Sequence, residues 1–322
     1  MKVTAVAHPI QGLVKYHGLR NSRQRIPFHD SVSVCVEALR TTTTVEALRG
    51  LRRNEVSVNG RVPDLREGER VEVVLGRLKE LAGFLGGFRV VSENSLKAGK
   101  GLGFSASGFA ALGLAASKAL DCELDAVSLS EVVRLGAGSS TRSLAGGFAI
   151  WYADKGGRSF AERLRASVDM DFSMVIVPVR SDVKTDEAHA EVLSSCLFRA
   201  RLRRVGGLVR AMKRAVREGD TAAIGRLAEE DTLNLHAITM TGKSRMVLWE
   251  PDTVRVLKEV VRMREEEGVL AWYSMDTGPS VFVNTFKENA GRVAGRFREM
   301  GFEKVIVSGV GGKPVLTEKH LF

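Results

Sequence analysis

Residues 92–109, SENSLKAGKGLGFSASGF, carry the chain's most distinctive chemistry. Gly99, Gly101 and Gly103 lie among Lys97, Lys100 and the small hydroxyl residues Ser105 and Ser107. Glycine lets backbone N–H groups approach a ligand closely. The helix expected after these glycines offers unpaired N–H donors and the positive end of its dipole. Together they make a cradle for phosphate; the plainer reading is a tight turn before a helix. Spacing excludes two common nucleotide signatures. A P-loop needs Lys followed by Ser or Thr after its last glycine, and none follows here. A dinucleotide fingerprint needs a third glycine in register, which Gly101-Leu102-Gly103 lacks.

Three further segments place polar residues where structure alone does not require them. Lys15 interrupts the apolar run between His8 and Gly18; its plain reading is a lysine that keeps only its head in water. Arg142 lies inside Gly138-Ser139-Ser140-Thr141-Arg142-Ser143, where its planar fork suits a carboxylate or phosphate. Asp276 ends an apolar stretch just before Gly278-Pro279. Capping a turn is the commoner role for such an aspartate. As a chemical group it is a carboxylate held on a rigid element.

The elements that must position these residues follow from the pattern. Strands are expected at 3–8, 31–36 and 41–48, and a hairpin pairing 55–60 with 71–75 around Asn59-Gly60. A helix over 76–87, a strand at 88–92, a buried Ala-rich helix at 104–120 and a helix at 128–135 come next. Strands at 146–152 and 174–179 precede long helices at 187–217, 221–240 and 252–267. Strands at 270–275, 280–284 and 304–308 and a helix at 286–299 close the chain. The order predicts an α+β protein with a boundary near 170, giving units of 1–170 and 171–322.

Composition narrows the class. The chain has 322 residues, 44% of them hydrophobic, with a mean hydropathy of −0.03, as expected of a soluble globular protein. No apolar run is long enough for a membrane span, and no signal peptide is visible, so a cytoplasmic protein without a membrane partner is expected. Cys35, Cys122 and Cys196 are scattered and odd in number, which fits reduced packing residues. The net charge is +10. With only 6% aromatics and no interleaved basic cluster, the excess fits a solvated basic surface or small anionic substrates better than nucleic acid. The run Arg199–Arg204 reads as an exposed helix face.

Taken together the segments resemble one family. Gly101-Leu102-Gly103-Phe104-Ser105-Ala106 is similar to the second motif of the GHMP kinases, G-L-x-S-S-A. Lys15-Tyr16-His17-Gly18-Leu19 resembles the K-Y-W-G-K of the mevalonate diphosphate decarboxylase branch. His29-Asp30-Ser31-Val32-Ser33-Val34 resembles its N-D-S-L-S-V, and Ser92-Glu93-Asn94 its S-E-N stretch. The run from Gly138 to Phe148 resembles G-S-A-C-R-S-L-x-G-G-F, and Asp276-Thr277-Gly278-Pro279-Ser280 resembles D-A-G-P-N. These matches keep the family's order from residue 8 to 280.

The resemblance implies a two-lobed GHMP-kinase-like α+β fold, with the active site in the cleft between lobes and a homodimeric assembly. It implies ATP-dependent decarboxylation of a phosphorylated mevalonate, with ATP and Mg2+ as cofactors. Asp276 would act on the C3 hydroxyl, Lys15 would offset charge beside it and Arg142 would hold the substrate carboxylate. Tyr16, Ser139, Ser140 and Arg20 would complete the substrate site. Ser92, Asn94, Lys97, Lys100, Gly101, Gly103, Ser105 and Ala106 would bind ATP, with Ser105 facing the metal. His236 matches a helix histidine of the family, and Lys184 is a further cation without an assigned role.

Departures from the pattern bear on the substrate. The second lysine of K-Y-W-G-K is Leu19 here, and a serine of the arginine motif is Ala137. Both positions help hold a diphosphate in the family, so their loss favours the 5-monophosphate, as does an opening that looks like that of the archaeal phosphomevalonate decarboxylases. Arg20 in place of the lost lysine would restore the diphosphate. The second glycine-loop motif also departs, at Lys97 and Phe104. That keeps open an ATP-independent decarboxylase of mevalonate 3,5-bisphosphate. A mevalonate 3-kinase and a non-catalytic ligand sensor are the other rivals, and the presence of Asp276, Lys15 and Arg142 weighs against both.

Overall fold

The structure is a computed structural model, and it describes residues 1–96, 101–165, 170–180 and 185–322. The chain opens with β1 (Lys2–Ala7), β2 (Ile10–Val14), a small ribbon of β3 (Leu19–Asn21) and β4 (Ile26–Pro27), then β5 (Ser31–Cys35), β6 (Thr41–Leu48) and β7 (Glu55–Val58). Helix α1 (Leu65–Ala82) leads into β8 (Gly87–Asn94). Helices α2 (Phe104–Ala119), α3 (Ala126–Gly136) and the short α4 (Ser140–Ala145) precede β9 (Phe148–Trp151), β10 (Ala161–Arg165) and β11 (Ser173–Val177). After α5 (Thr185–Glu191), α6 (Phe198–Glu218), α7 (Thr221–Met240) and α8 (Pro251–Glu267) come β12 (Ala271–Ser274), β13 (Val281–Thr285), α9 (Lys287–Glu299), β14 (Ile306–Ser308) and β15 (Val315–Thr317).

Three sheets organise these elements, in the orders β15-β1-β6-β8-β7, β10-β9-β5-β2 and β12-β13-β11-β14. The expected α+β class is the one observed. Each sheet buries an apolar face. Val45, Phe88 and Val90 of the first meet Leu75 and Leu78 of α1 and the alanines of α2. The third packs on Val256, Val260, Val293 and Phe297 of α8 and α9. The largest core joins both ends of the chain: Leu13, Val34 and Phe148 from the second sheet, Ile176 and Phe282 from the third, and Val205, Met212 and Ile224 from α6 and α7. The last strand returns to pair with β1, Thr4 opposite Thr317.

Two expectations are corrected. Residues 71–75 belong to α1 and form no strand. Val71, Val74, Leu75 and Leu78 recur at helical spacing and are buried, each side chain contributing roughly 1.5–3 kcal/mol when buried. Asp64 caps the helix and Glu67 returns the bond in a capping box. The Asn59-Gly60 turn does form, with Val58 bridging Arg61, but β7 pairs with β8 in parallel across the α1 crossover. The alternation VEVVL fits either period over five residues, and the cap decides it. The helix also ends earlier than expected, at Gly83, whose φ is +60°.

The expected single helix over 187–217 is broken. A 3-10 turn, Val192–Ser194, follows α5, and α6 starts at Phe198. Hydroxyls compete with the helix ladder here. Ser194 donates to the Glu191 carbonyl at 2.7 Å and accepts from the Lys243 N–H at 2.7 Å. Ser195 accepts from the Leu197 N–H at 3.1 Å. Ahead of the break, His189 lies against Tyr16, their rings stacked at 4.9 Å.

Candidate active site

β2 is buried along its whole length, and a glycine at its centre brings the site together. The Gly12 N–H donates to Asp276 Oδ1 at 2.8 Å. A Cβ at residue 12 would lie 2.7 Å from that oxygen and 2.7 Å from Lys15 Cγ, so only glycine leaves room for both side chains. Asp276 follows β12 and is partly buried. Burial pushes its carboxyl above the usual range, opposed by the Lys15 cation and the Gly12 N–H.

Lys15 is no surface lysine: it is only 4% exposed. Its ammonium donates to Thr232 Oγ1 at 2.8 Å, Ser274 Oγ at 2.9 Å and the Ala228 carbonyl at 3.3 Å. Burial lowers its pKa to about 8, with Asp231 and Asp276 pulling the other way. Asp231, fully buried on α7, accepts the Lys15 backbone N–H at 2.8 Å and pairs with Arg201 at 3.0 Å. Arg201 in turn donates to the Lys15 carbonyl at 2.7 Å and to Asn234 at 2.6 Å. Arg201 therefore departs from the expected exposed run: it is 1% exposed and shares the apolar face of α6 with Val205, Leu208 and Met212. A buried charge of this kind persists only when paired.

Arg142 sits on α4, 2% exposed, beneath two aromatic faces, its guanidinium 5.4 Å from the Tyr16 ring and 5.7 Å from that of Trp151. One nitrogen donates to Ser31 Oγ at 2.8 Å. Its Nε has no hydrogen-bond partner among the described residues. Burial lowers its pKa to about 10, so the side chain remains a cation able to take an anion. Ser31 stands in the stretch His29–Val34 and so serves to orient Arg142. The Ser140 hydroxyl donates to the Val133 and Ala137 carbonyls at 2.8 and 2.5 Å, which makes it a splice between α3 and α4. Ser139 is half-buried and makes no side-chain hydrogen bond at the start of α4.

The glycine loop abuts these residues. Gly101 (φ +82°) is close enough to the Gly278 backbone that a Cβ would sit 2.7 Å from its Cα. Gly103 (φ +74°) would bring one within 2.5 Å of the Ile10 carbonyl. The loop is thus wedged between the start of β2 and the turn after Asp276. Among the described residues no side chain caps α2; the Ala106 N–H bonds the Gly103 carbonyl at 2.9 Å, which leaves the N–H groups ahead of it for an anion. Ser105 is exposed in that first turn and Ala106 is buried behind it. Backbone donors, positive φ glycines and an open hydroxyl all fit a nucleotide phosphate with its magnesium ion.

Other expected residues are engaged in packing or stand apart from Asp276. The Ser92 hydroxyl bonds Thr43 at 2.8 Å within the sheet, and Asn94 accepts from Thr41 at 2.8 Å. Arg20 is exposed on β3 and lines a separate depression of about 200 Å³ with Gln24, Glu131, Arg134 and Arg158. Lys97, Lys100 and Lys184 lie outside the described residues. His236 is a packed residue of α7, 3.2 Å from the Asp276 carbonyl and edge-on to Trp249; burial lowers its pKa to about 3. Sequence reasoning missed Gly12, Asp231 and Arg201. Asp231 carries a readable signal, a carboxylate on the otherwise apolar face shared by Ile224, Ala228 and Leu235.

Comparison with known proteins identifies the family. Residues 7–161 match the family described as the diphosphomevalonate decarboxylase-like N-terminal domain. The phosphomevalonate decarboxylase of Haloferax volcanii is 40% identical over 315 residues, covering 97% of this chain and 96% of that protein. A solved complex of MDDEF with MVAPP, AMPPCP and magnesium superposes with a TM-score of 0.91 at 27% identity, covering 99% of each chain. The mevalonate diphosphate decarboxylase of Staphylococcus aureus gives 0.92 at 26%, covering 98% of each. At 40% identity over nearly its whole length to one such enzyme, and with its fold matched throughout, the chain belongs to the phosphomevalonate and diphosphomevalonate decarboxylase family, on a GHMP-kinase-like fold.

Proposed function

We propose that this protein catalyses the ATP-dependent decarboxylation of mevalonate 5-phosphate to isopentenyl phosphate. One observation carries the reading: Gly12 holds Asp276 and Lys15 side by side while the loop bearing Gly101 touches the turn after Asp276. A hydroxyl acceptor and a phosphoryl cradle are thereby neighbours. ATP with Mg2+ supplies the phosphoryl group that converts the C3 hydroxyl into a leaving group. Asp276 Oδ1 is pinned by Gly12, which leaves Oδ2 to take the C3 hydroxyl proton. The Lys15 ammonium offsets negative charge on the C3 oxygen. Arg142, with Tyr16 and Ser139 beside it, holds the carboxylate that departs as CO2. The N–H groups at the start of α2 and the Ser105 hydroxyl hold the transferring phosphate and its metal.

The 40% identity to the Haloferax phosphomevalonate decarboxylase supports the monophosphate, and so do Leu19 and Ala137 in place of a lysine and a serine. The exposed Arg20 lies with Gln24, Glu131 and Arg158 along a depression of its own, which supports the monophosphate over a diphosphate held by that arginine. CO2 release from mevalonate 5-phosphate and from its 5-diphosphate, each with and without ATP-Mg2+, tests the reading. ATP-dependent release from the monophosphate alone is expected. Preference for the diphosphate assigns the other family activity, ADP without CO2 assigns a kinase, and CO2 released without ATP only when mevalonate 3,5-bisphosphate is supplied as a third substrate assigns the ATP-independent decarboxylase.

The reading extends to a chain divided near residue 170 and to a cytoplasmic homodimer. Three unpaired cysteines support a reducing compartment, and no described helix is long and apolar enough to cross a membrane. The dimer rests on family resemblance and is tested by light scattering during gel filtration.

A further inference from the structure

The Asp276 carboxylate is placed by its own main chain as well as by Gly12. Asp276 lies beyond the last pair of the β12–β13 ladder, Ser274 opposite Phe282. The turn that carries it is held by side chains from helices. Thr232 Oγ1 on α7 accepts the Met275 N–H at 3.2 Å, and the Thr253 hydroxyl on α8 donates to the Pro279 carbonyl at 2.8 Å. Between these two, His236 Nε2 lies 3.2 Å from the Asp276 carbonyl. A carbonyl only accepts, so Nε2 carries the proton. Burial first, and then the Lys15 cation, lower the His236 pKa to about 3. The ring is therefore neutral, and its single N–H is directed at the residue that bears the carboxylate.

The spacing along α7 gives this bond its meaning. Ala228, Thr232 and His236 recur every four residues and share one face of the helix. The Ala228 carbonyl and Thr232 Oγ1 accept the Lys15 ammonium at 3.3 and 2.8 Å, and one turn later His236 takes Asp276. Asp231 beside them accepts the Lys15 N–H at 2.8 Å. One helix thus grips both the cation and the peptide of the acid. His236 is 1% exposed and edge-on to Trp249, with ring centroids 5.6 Å apart. Leucine would fill this space without burying a polar ring, whose Nδ1 has no hydrogen-bond partner among the described residues.

We propose that His236 is a positioning residue for the reaction: its bond to the Asp276 carbonyl sets the carboxylate at a fixed register to the Lys15 ammonium, with α7 as the common support. This inference rests on the mechanism proposed above, in which Asp276 takes the C3 hydroxyl proton. Gly12 fixes one carboxylate oxygen from β2, and His236 fixes the main chain behind it from α7. The two contacts together leave the second oxygen one direction in which to point.

Steady-state kinetics of the full-length chain with ATP-Mg2+ and mevalonate 5-phosphate test the inference on His236→Leu and His236→Gln, each alone and combined with Asp276→Asn. A misplacement of about 1 Å costs about 10²-fold at most positions that act on the reacting atoms, so His236→Leu should lower kcat by about 10–100-fold. Both KM values should stay within about threefold. His236→Gln keeps an N–H of similar reach and should recover kcat to within about fivefold of wild type. In the Asp276→Asn background His236→Leu should change kcat by less than about twofold, because no carboxylate remains to be positioned. An equal fall in both backgrounds overturns the inference, as does unchanged kcat in His236→Leu or a Gln variant as slow as Leu. Nitrogen NMR of the wild-type imidazoles gives a test that needs no variant to fold: His236 should be the Nε2–H tautomer, and an Nδ1–H tautomer overturns the inference. Wild-type protein that releases no CO2 from mevalonate 5-phosphate, or Asp276→Asn with near-normal turnover, overturns the underlying mechanism instead, and the inference with it.

Discussion

The loop at Gly101–Ala106 and the network of Lys15, Asp231 and Arg201 both border the proposed site, yet they are built by opposite means. The loop works by leaving space: two glycines at positive φ press against the Gly278 and Ile10 backbones, and no described side chain caps the helix that follows. Its donors are backbone groups whose placement no side chain can replace. The network works by filling space. Lys15, Arg201 and Asp231 are each at most 4% exposed, and every charge is tied to a named partner. The loop should therefore tolerate no added atom, whereas the network should tolerate no lost charge. Asp276 stands where the two meet, pinned by a backbone N–H from one side and facing a buried ammonium on the other.

The sharpest way to break this comparison is at the meeting point. Asp276→Asn should cut turnover by about 10²–10⁴-fold with little change in substrate binding, as expected for loss of a general base. Near-normal turnover would remove Asp276 from the mechanism. Next comes the network: Asp231→Ala leaves two buried cations unpaired and should destabilise the fold by about 3–5 kcal/mol in denaturant titrations. A loss below 1 kcal/mol would show that water already screens the pair.

Gly103→Ala probes the loop. A left-handed φ and a contact of 2.5 Å to the Ile10 carbonyl should cost about 1–3 kcal/mol and appear mainly as a raised KM for ATP. A raised KM for mevalonate 5-phosphate alone would contradict the division of labour.

The pH profile sharpens the same contrast. Asp276 must be ionised to accept a proton, so activity falls as pH drops through its raised pKa. Lys15 must be protonated to offset charge, so activity falls as pH rises through about 8. Lys15→Arg should move that alkaline limb upward, since a guanidinium stays protonated; a limb that does not move belongs to another group. The smallest effect is expected from Leu19→Lys with Ala137→Ser, which should raise use of the diphosphate relative to the monophosphate. An unaltered ratio would separate these positions from phosphate selection.

Much of the site was legible from residue types. A glycine run between lysines, an arginine in a hydroxyl loop and an aspartate before Gly-Pro each stand out against an apolar background. The supporting residues were not. Gly12 reads as an ordinary strand glycine until Asp276, far along the chain, is found donating its space requirement to it. Arg201 hides within a basic run, because its burial depends on which face of α6 packs inward. Serine roles were equally hidden: Ser140 and Ser139 look alike in sequence, yet one hydroxyl splices α3 to α4 and the other is open. The fold errors share a cause. VEVVL and the 187–217 run are locally compatible with two structures, and distant bonds select between them.

By itself, the sequence determined the α+β class, the glycine-rich turn into α2 and the set of charged residues, because these depend on local spacing and residue chemistry. Tertiary structure alone decided which charges are buried, which are paired and which lie side by side. Those properties depend on desolvation and on contacts between segments more than two hundred residues apart, such as Gly12 with Asp276 and Lys15 with Asp231.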